Sequence, residues 1–395
     1  MALMKLAFLC NNMKSTNGVE RVLSQRLSLL AESGMYEVYL ITYNQYGAPF
    51  SFPISDKVHY IDLATRYINK CSFHGIYQYW DRFISRRQYE NAIRTCIEQI
   101  FPDVITCIDI HLVDLLTILN IQTKAKKVVE CHCGLSAYFG DLKKVKSPYE
   151  RFLQRSQKNR IVKTVRKFDK FIVMTPLELK DWDNDEKGIC IPNMLPAFPN
   201  KIPDIHQVKH RINCVGRYAY QKGYDLLVHA WTIVQNAHPD WSLHFYGSRD
   251  GDMGDYNQLE LIIHNDNIRN VYLHPATDDV CIKYFDSDFY VMASRYESFG
   301  LTMIEAMACG LPIISFNCKY GPRSIVNDGT TGILVPQNNV EKLAEAICCM
   351  IENDEMRHQM SINAYSESKK YLPEKIMPLW HEFYKSLRKG HSTDA

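Results

Sequence analysis

The sequence predicts an α/β protein with two doubly wound, Rossmann-like domains. Short apolar segments, typical of buried parallel strands, alternate with longer segments of helical periodicity. This alternation runs through the chain twice, and a proline-rich segment without clear periodicity separates the two series. The chain has 395 residues, enough for two domains of ordinary size. Ligands of such folds bind in a crevice at the C-terminal ends of the strands.

The first series predicts seven strands, each a short apolar run bounded by polar residues. They span residues 5–10, 37–42, 58–62, 104–108, 127–131, 171–175 and 188–191. Residues 19–33 form a predicted helix, because Val22, Leu23, Leu27 and Leu30 recur on one helical face. A longer helix is predicted over residues 79–100.

The alternation of predicted strands and helices stops at Pro192-Asn-Met-Leu-Pro196, and Pro199 and Pro203 follow. We therefore predict one domain over residues 1–191 and a second over residues 192–375. The second series predicts strands over residues 211–215, 242–246, 270–273, 289–293, 312–316 and 332–335. Helices are predicted over residues 223–237, 279–285, 301–309 and 340–351. A last amphipathic helix is predicted over residues 374–388, where apolar residues recur at helical spacing.

Two glutamates flank a predicted helix start in the second domain. Glu297 lies in a loop after a strand, and Glu305 lies eight positions on, inside the helix over residues 301–309. Phe299, Gly300 and Leu301 would present free backbone N–H groups there, which favour a phosphate or diphosphate. The two carboxylates would suit a ligand with hydroxyl groups on both sides of a diphosphate, as in a nucleotide sugar. The alternative is a buried helix beside a solvated acidic loop.

A second loop of this domain carries two cations. Val215-Gly-Arg-Tyr-Ala-Tyr-Gln-Lys-Gly223 follows a predicted strand and opens a helix. Arg217 and Lys222 could neutralise a diphosphate and stabilise it as a leaving group. The alternative is a pair of solvated loop charges.

In the first domain, Gly18 and His132 follow predicted strands. Gly18 would allow close backbone approach to an anion at a helix start, although a simple tight turn explains it equally well. His132 could hydrogen-bond a sugar hydroxyl or transfer a proton, but a lone histidine is often structural. We expect the side chain of Glu130, on the strand that precedes His132, to face away from His132.

Net charge, cysteine spacing and the length of apolar runs limit which partners, metal sites and membrane segments the protein can have. The net charge is only +2, so overall charge predicts no partner. The 13 cysteines show no disulfide spacing, which favours free thiols in a reducing cytoplasm. Cys131-His-Cys133 has no second pair at zinc-site spacing, so we predict no metal site. No apolar run reaches the roughly 20 residues that a membrane span needs, and the N-terminus is typical of a first strand rather than a signal peptide.

Residues 143–170 form a strongly basic segment with interleaved apolar residues. The basic residues are Lys143, Lys144, Lys146, Arg151, Arg155, Lys158, Arg160, Lys163, Arg166, Lys167 and Lys170. A basic amphipathic helix of this kind favours an anionic membrane surface. The alternatives are a solvated helix face and a nucleic-acid patch. No nucleic-acid-binding motif accompanies the charge, so we expect no nucleic-acid partner.

Together these motifs resemble family 4 of the retaining, GT-B-fold glycosyltransferases, especially bacterial enzymes of surface-polysaccharide assembly. The most specific part is Ser294-Arg-Tyr-Glu-Ser-Phe-Gly-Leu-Thr-Met-Ile-Glu305, which is similar to the E-x7-E element of that family. Val215-Gly-Arg217 with Lys222-Gly223 resembles its diphosphate-binding loop. Thr331-Gly-Ile-Leu-Val-Pro336 fits the same group.

The resemblance implies a fold of two Rossmann-like domains that face a central crevice, with a C-terminal helix, residues 376–390, packed on the first domain. It assigns donor-sugar contacts to Glu297 and His132, ribose contacts to Glu305, and diphosphate contacts to Arg217 and Lys222. The other substrate-binding residues that it implies are Gly18, Gly216, Ser298, Phe299, Gly300, Leu301 and, at the nucleotide base, Ala276.

We therefore expect a metal-independent retaining glycosyltransferase without a cofactor. It would move a hexose or N-acetylhexosamine from a UDP-sugar to a lipid-linked or polysaccharide acceptor in capsule, O-antigen or exopolysaccharide synthesis. We expect it in the cytoplasm, peripherally bound to the inner face of the plasma membrane. The alternatives are a UDP-sugar epimerase on the same fold, and a non-catalytic nucleotide-sugar-binding protein.

Overall fold

The computed structural model describes residues 3–65, 76–139, 147–183, 185–199, 207–249 and 253–389. The chain forms two compact units. The first unit combines Met1–Ile191 with Met377–Ala395, and the second unit is Pro192–Ile376. Each unit is a parallel sheet with helices, so the predicted fold class of two Rossmann-like α/β domains is confirmed.

The first unit has a seven-stranded sheet in the order β3-β2-β1-β4-β5-β6-β7, in which all neighbours are parallel. Its strands are β1 Met4–Cys10, β2 Tyr36–Thr42, β3 His59–Asp62, β4 Val104–Ile108, β5 Lys126–Cys131, β6 Lys170–Val173 and β7 Gly188–Cys190. Its helices are α1 Gly18–Glu32, α2 Ile76–Ile100, α3 Leu112–Asn120, α4 Leu135–Phe139, α5 Pro148–Val165 and α6 Pro176–Asp181. Each strand lies within two residues of its predicted bounds at either end.

The second unit has a six-stranded parallel sheet in the order β10-β9-β8-β11-β12-β13. Its strands are β8 Arg211–Val215, β9 Ser242–Tyr246, β10 Val271–His274, β11 Phe289–Met292, β12 Ile313–Phe316 and β13 Gly332–Val335. Its helices are α7 Tyr224–Ala237, α8 Met253–Asn265, α9 Val280–Phe285, α10 Leu301–Ala308, α11 Gly321–Ile325, α12 Val340–Glu352 and α13 Asp354–Ser368. The adjacency of β8 and β11 brings the loops after these two strands side by side.

The last helix, α14 Pro373–Lys389, begins in the second unit, and its residues from Met377 onwards belong to the first unit. Trp380 lies under the guanidinium of Arg26 in α1, with 4.0 Å from the guanidinium carbon to the ring centroid. Tyr384 packs edge-on against Tyr36, with 5.5 Å between the ring centroids. The apolar face of this helix is therefore part of the first unit's core.

Gly223 holds the loop after β8 against the end of β11. It has a left-handed φ of 63°, and an added Cβ would lie 2.1 Å from the carbonyl oxygen of Ala293. Gly329, in the same unit, has a similar φ of 73° but has no atom within 4 Å of such a Cβ.

We predict that Gly223→Ala lowers the free energy of unfolding by more than Gly329→Ala does. The left-handed backbone costs either alanine about 1–2 kcal/mol. Only at position 223 does a backbone clash add about 1–3 kcal/mol. Urea unfolding of both variants measures the difference, and equal losses would contradict the tight packing of this loop.

Candidate functional site

The cationic loop of the second unit runs from the end of β8 into α7. Gly216, with a φ of 154°, donates its N–H to the carbonyl oxygen of Tyr246 at 2.9 Å. Arg217 follows and is exposed. A short 3₁₀ helix, Tyr220–Lys222, then leads through Gly223 into α7. The loop thus presents one exposed cation and places a second, Lys222, beside the neighbouring strand end.

Lys222 forms an ion pair with Glu297, from the loop after β11. The Lys222 Nζ lies 2.8 Å from the Glu297 Oε2, and the two side chains are 15% and 13% exposed. The hydroxyl of Ser294 also donates to this oxygen, at 3.4 Å. The structure therefore brings together two residues that are 75 positions apart in sequence and that the sequence assigns to one site. Because the pair is partly exposed, an entering anion can compete with Glu297 for Lys222.

Arg295 ties the two loops together. Its guanidinium donates to both carboxylate oxygens of Asp225, at 2.9 and 2.6 Å, and to the carbonyl oxygen of Tyr220, at 2.7 Å. It also lies 3.9 Å from the centroid of the Tyr220 ring. Between the backbones, Arg295 N–H donates to the Gln221 carbonyl at 2.8 Å. These contacts hold the loop that carries Lys222 against the loop that carries Glu297.

The helix α10 starts directly after the Glu297 loop. Gly300 caps it with a φ of 96°, a conformation that disfavours other residues. The N–H of Met303 donates to the carbonyl oxygen of Gly300 at 3.0 Å, and the N–H groups of Leu301 and Thr302 lie at the positive end of the helix dipole. Glu305 lies in this helix and is 6% exposed. Glu297, the start of α10 and Glu305 thus follow one another in the order that the sequence predicts.

The remaining predicted residues of this unit differ in exposure. Ser298 and Phe299 are buried, and the Phe299 ring packs edge-on against Tyr371 with 5.7 Å between centroids. The Phe299 side chain is therefore part of the packing of this unit. Ala276 is exposed in the loop after β10.

In the first unit, Gly18 is the exposed first residue of α1, and His132 follows β5. The His132 Nε2 lies 2.9 Å from the Glu130 Oε2. The expectation that Glu130 faces away from His132 was wrong. Side chains alternate along a strand with a period of two, so residues 130 and 132 lie on the same face.

Glu130 is also bound by Arg26 from α1. Two guanidinium nitrogens donate to the two carboxylate oxygens, each at 2.8 Å, and both side chains are almost fully buried. Burial alone would raise the pKa of the Glu130 carboxyl, but the Arg26 charge and His132 outweigh it and hold this pKa below its ordinary value. Glu130 is therefore a carboxylate.

Only part of the basic segment can be placed, because Lys143, Lys144 and Lys146 lie outside the described residues. The described part includes α5. In its first three turns most side chains are exposed on every face of the helix. Tyr149, Phe152 and Leu153 are exposed there by 71%, 69% and 47%. Ile161 and Val165 near its other end are buried. The helix is therefore anchored at its C-terminal end and presents aromatic and basic side chains at its N-terminal end.

The described cysteines are free thiols. The described residues contain no cluster of three or more histidine, cysteine, aspartate or glutamate side chains suited to a metal ion. Among the described helices, none has both the length and the apolar character needed to cross a membrane.

Comparison with known proteins identifies the class of enzyme. Residues 201–367, most of the second unit, match the model of the family described as glycosyl transferases group 1. Over 390 residues the chain is 28% identical to an uncharacterized glycosyltransferase of Haemophilus influenzae, with 95% of this chain and 98% of that protein covered. The protein is a glycosyltransferase with the GT-B fold.

Further matches agree with this class. The glycosyltransferase is 28% identical over 233 residues to the poly(ribitol-phosphate) α-N-acetylglucosaminyltransferase of Staphylococcus aureus, covering 57% of this chain and 46% of that one. Among solved structures, a variant of S. aureus TarM in complex with fondaparinux, α-GlcNAc-glycerol and UDP has a TM-score of 0.75 at 16% identity. That match covers 96% of this chain and 99% of the other, and it shows a shared fold.

Three residues beside the predicted site residues were missed or misplaced from the sequence. Arg295 adjoins the glutamate motif, but nothing in the sequence pairs it with Asp225. Glu130 was assigned to the wrong face, although correct strand alternation would have placed it beside His132. Arg26 lies on the buried face of α1 and is 1% exposed. A single arginine among the leucines of that face was the available signal, because buried arginine is rare unless paired.

We predict that Arg295 and Asp225 are energetically coupled. Arg295→Lys loses the bidentate geometry, so the free energy of unfolding should fall by about 1–3 kcal/mol. In a double-mutant cycle with Asp225→Asn, the two losses should be non-additive by at least about 0.5 kcal/mol. Arg269→Lys, at an exposed arginine of the same unit, is the control and should change little. Additive losses in the cycle would show that the two side chains act independently.

Proposed function

We propose that the protein is a metal-independent, retaining glycosyltransferase of family 4. It moves a hexose or N-acetylhexosamine from a UDP-sugar to a lipid-linked or polysaccharide acceptor in cell-surface glycan synthesis. The observation that carries the proposal is the Lys222–Glu297 ion pair beside the N-terminus of α10. A cation and a carboxylate here lie beside the start of a helix, after two adjacent parallel strands.

The donor diphosphate takes the place of Glu297 at Lys222 in this proposal. Arg217 supplies a second positive charge, and the N–H groups of Gly300 and Leu301 complete the anion site. Fixed charges and N–H dipoles of this kind stabilise a diphosphate as it leaves. The exchange frees the Glu297 carboxylate to accept hydrogen bonds from hydroxyls of the transferred sugar.

The other residues bind the rest of the donor. Glu305 accepts hydrogen bonds from the ribose hydroxyls, and the backbone near Ala276 pairs with the base. Gly18 offers its backbone to the phosphates, and His132 hydrogen-bonds a hydroxyl of the sugar. The Staphylococcus relative named as an α-N-acetylglucosaminyltransferase supports an N-acetylhexosamine as donor sugar. The solved TarM variant, which holds UDP, supports a uridine nucleotide.

Transfer with retention follows from attack on the face that the diphosphate leaves. The bond between the sugar's anomeric carbon and the β-phosphate oxygen breaks, and the acceptor oxygen bonds to the same face of that carbon. The acceptor hydroxyl proton passes to the departing phosphate oxygen. The protein's part is to hold the donor and to stabilise the charge that develops on UDP.

We predict that the two glutamates affect different kinetic parameters. Glu297→Gln should lower kcat at least about tenfold without weakening UDP binding, because Glu297 contacts the reacting sugar and competes with the diphosphate for Lys222. Glu305→Gln should mainly weaken UDP binding, because Glu305 contacts the ribose. UDP release with donor and acceptor measures kcat, and calorimetry measures UDP affinity.

Glu341→Gln, at an exposed glutamate of α12, is the matched control and should behave like the wild type. Loss of UDP affinity alone in both glutamate variants would contradict the division of roles. Wild-type activity in Glu297→Gln and Arg217→Ala would contradict the site itself. Conversion of a UDP-sugar to its epimer without acceptor would instead identify an epimerase.

The basic segment supports a membrane-bound acceptor. Exposed aromatic and cationic side chains occur together at the start of α5, which suits insertion of rings at an interface and attraction to anionic headgroups. We propose that this end of α5 binds the inner face of the plasma membrane.

We predict that reversing Arg151, Arg155 and Lys158 to glutamate weakens binding to phosphatidylglycerol vesicles. Each lost cation removes about 1 kcal/mol of attraction near an anionic surface. Co-sedimentation at physiological salt measures the effect. The control reverses three exposed lysines elsewhere, Lys57, Lys124 and Lys375, and equal weakening in both variants would show that only net charge matters.

A further inference from the structure

A chain of three side chains links the first helix to His132. Arg26 donates to both oxygens of Glu130 at 2.8 Å, and the Glu130 Oε2 lies 2.9 Å from the His132 Nε2. The side chains of Arg26, Glu130 and His132 are 1%, 0% and 4% exposed. All three belong to the first unit, so the chain is a property of that unit alone.

The charges decide which histidine nitrogen carries the proton. Arg26 is permanently protonated, and it keeps Glu130 ionised despite its burial. An ionised carboxylate has no proton to donate, so the hydrogen bond requires an N–H at Nε2. In the neutral ring the other nitrogen, Nδ1, then carries a lone pair. No described residue hydrogen-bonds that nitrogen.

Stability alone is a weak reason for such a pair. Removing two charges from water is costly, and apolar residues of similar volume often replace a buried ion pair without loss of stability. Further groups enclose the guanidinium: the Trp380 ring centroid lies 4.0 Å from its carbon, and that of Phe8 lies 5.6 Å away. Arg26 is thus held by aromatic rings packed against its guanidinium as well as by the hydrogen bonds that its N–H groups donate to Glu130.

We propose that Glu130 and Arg26 are positioning residues for His132. They fix the orientation of its ring and its Nε2–H tautomer, so that Nδ1 presents a lone pair to a hydroxyl of the sugar. Trp380, from α14, supports Arg26 in this role. The inference rests on the proposed role of His132 in sugar binding.

The first test needs no substrate. Long-range proton–nitrogen NMR of the full-length protein, labelled with ¹⁵N-histidine, reports the tautomer of each neutral ring. His132→Gln identifies the signal of residue 132 among the 14 histidines. We expect Nε2–H at His132 in the wild type. A predominant Nδ1–H tautomer there would overturn the proposal without recourse to any further variant.

The second test removes both charges at once. The double variant Arg26→Met/Glu130→Val leaves no uncompensated buried charge, so it should fold. We expect a mixture of tautomers at His132 and a fall in kcat of about 10-fold or more, with UDP affinity unchanged. Asp114→Asn, which alters another buried carboxyl of this unit that accepts from Tyr43 and Tyr89, is the control. It should leave the His132 tautomer as in the wild type.

The outcomes separate the two proposals. A folded double variant with an unchanged tautomer and unchanged kcat would overturn the positioning role. Full transfer activity in His132→Gln would instead contradict the proposed role of His132 in the reaction, whatever tautomer the ring adopts. If the double variant does not fold, the wild-type tautomer decides the proposal.

Discussion

The ion pair between Lys222 and Glu297 is the interaction on which the second unit's site depends. It joins the loops after β8 and β11, which the parallel sheet places side by side. Gly223 lets the first loop approach the second, and Arg295 locks both through Asp225. The pair also places the Glu297 side chain beside Gly300, the residue that precedes α10. We propose that the diphosphate of the donor replaces Glu297 at Lys222.

The two units use a carboxylate and a cation at a strand end in opposite ways. In the second unit the pair of Lys222 and Glu297 is partly exposed, so a phosphate can compete for the lysine. In the first unit Arg26 and Glu130 are buried, and a carboxylate taken from its arginine there would be left in an apolar surrounding. We propose accordingly that the partly exposed pair exchanges with substrate, whereas the buried pair holds His132 in place.

The strands were predictable because each is a short apolar run between polar turns, as at Val104–Ile108 and Phe289–Met292. The proximity of the Glu297 and Lys222 loops was predictable because both follow strands of one parallel sheet, whose C-terminal ends lie at the same edge. Helices such as α3 and α13 were not singled out, since weak or short periodicity does not separate them from loops. Arg295 and Arg26 were missed because their partners, Asp225 and Glu130, are distant in sequence. Such pairings depend on the tertiary fold, which one sequence does not display.

A crystal structure of the protein with UDP would show whether the ion pair of the second unit marks the diphosphate site. We expect phosphate oxygens within about 3 Å of the Lys222 Nζ and of the first N–H groups of α10, with Lys222 no longer bonded to Glu297. UDP bound elsewhere, with the Lys222–Glu297 pair intact, would show that these residues do not bind the diphosphate.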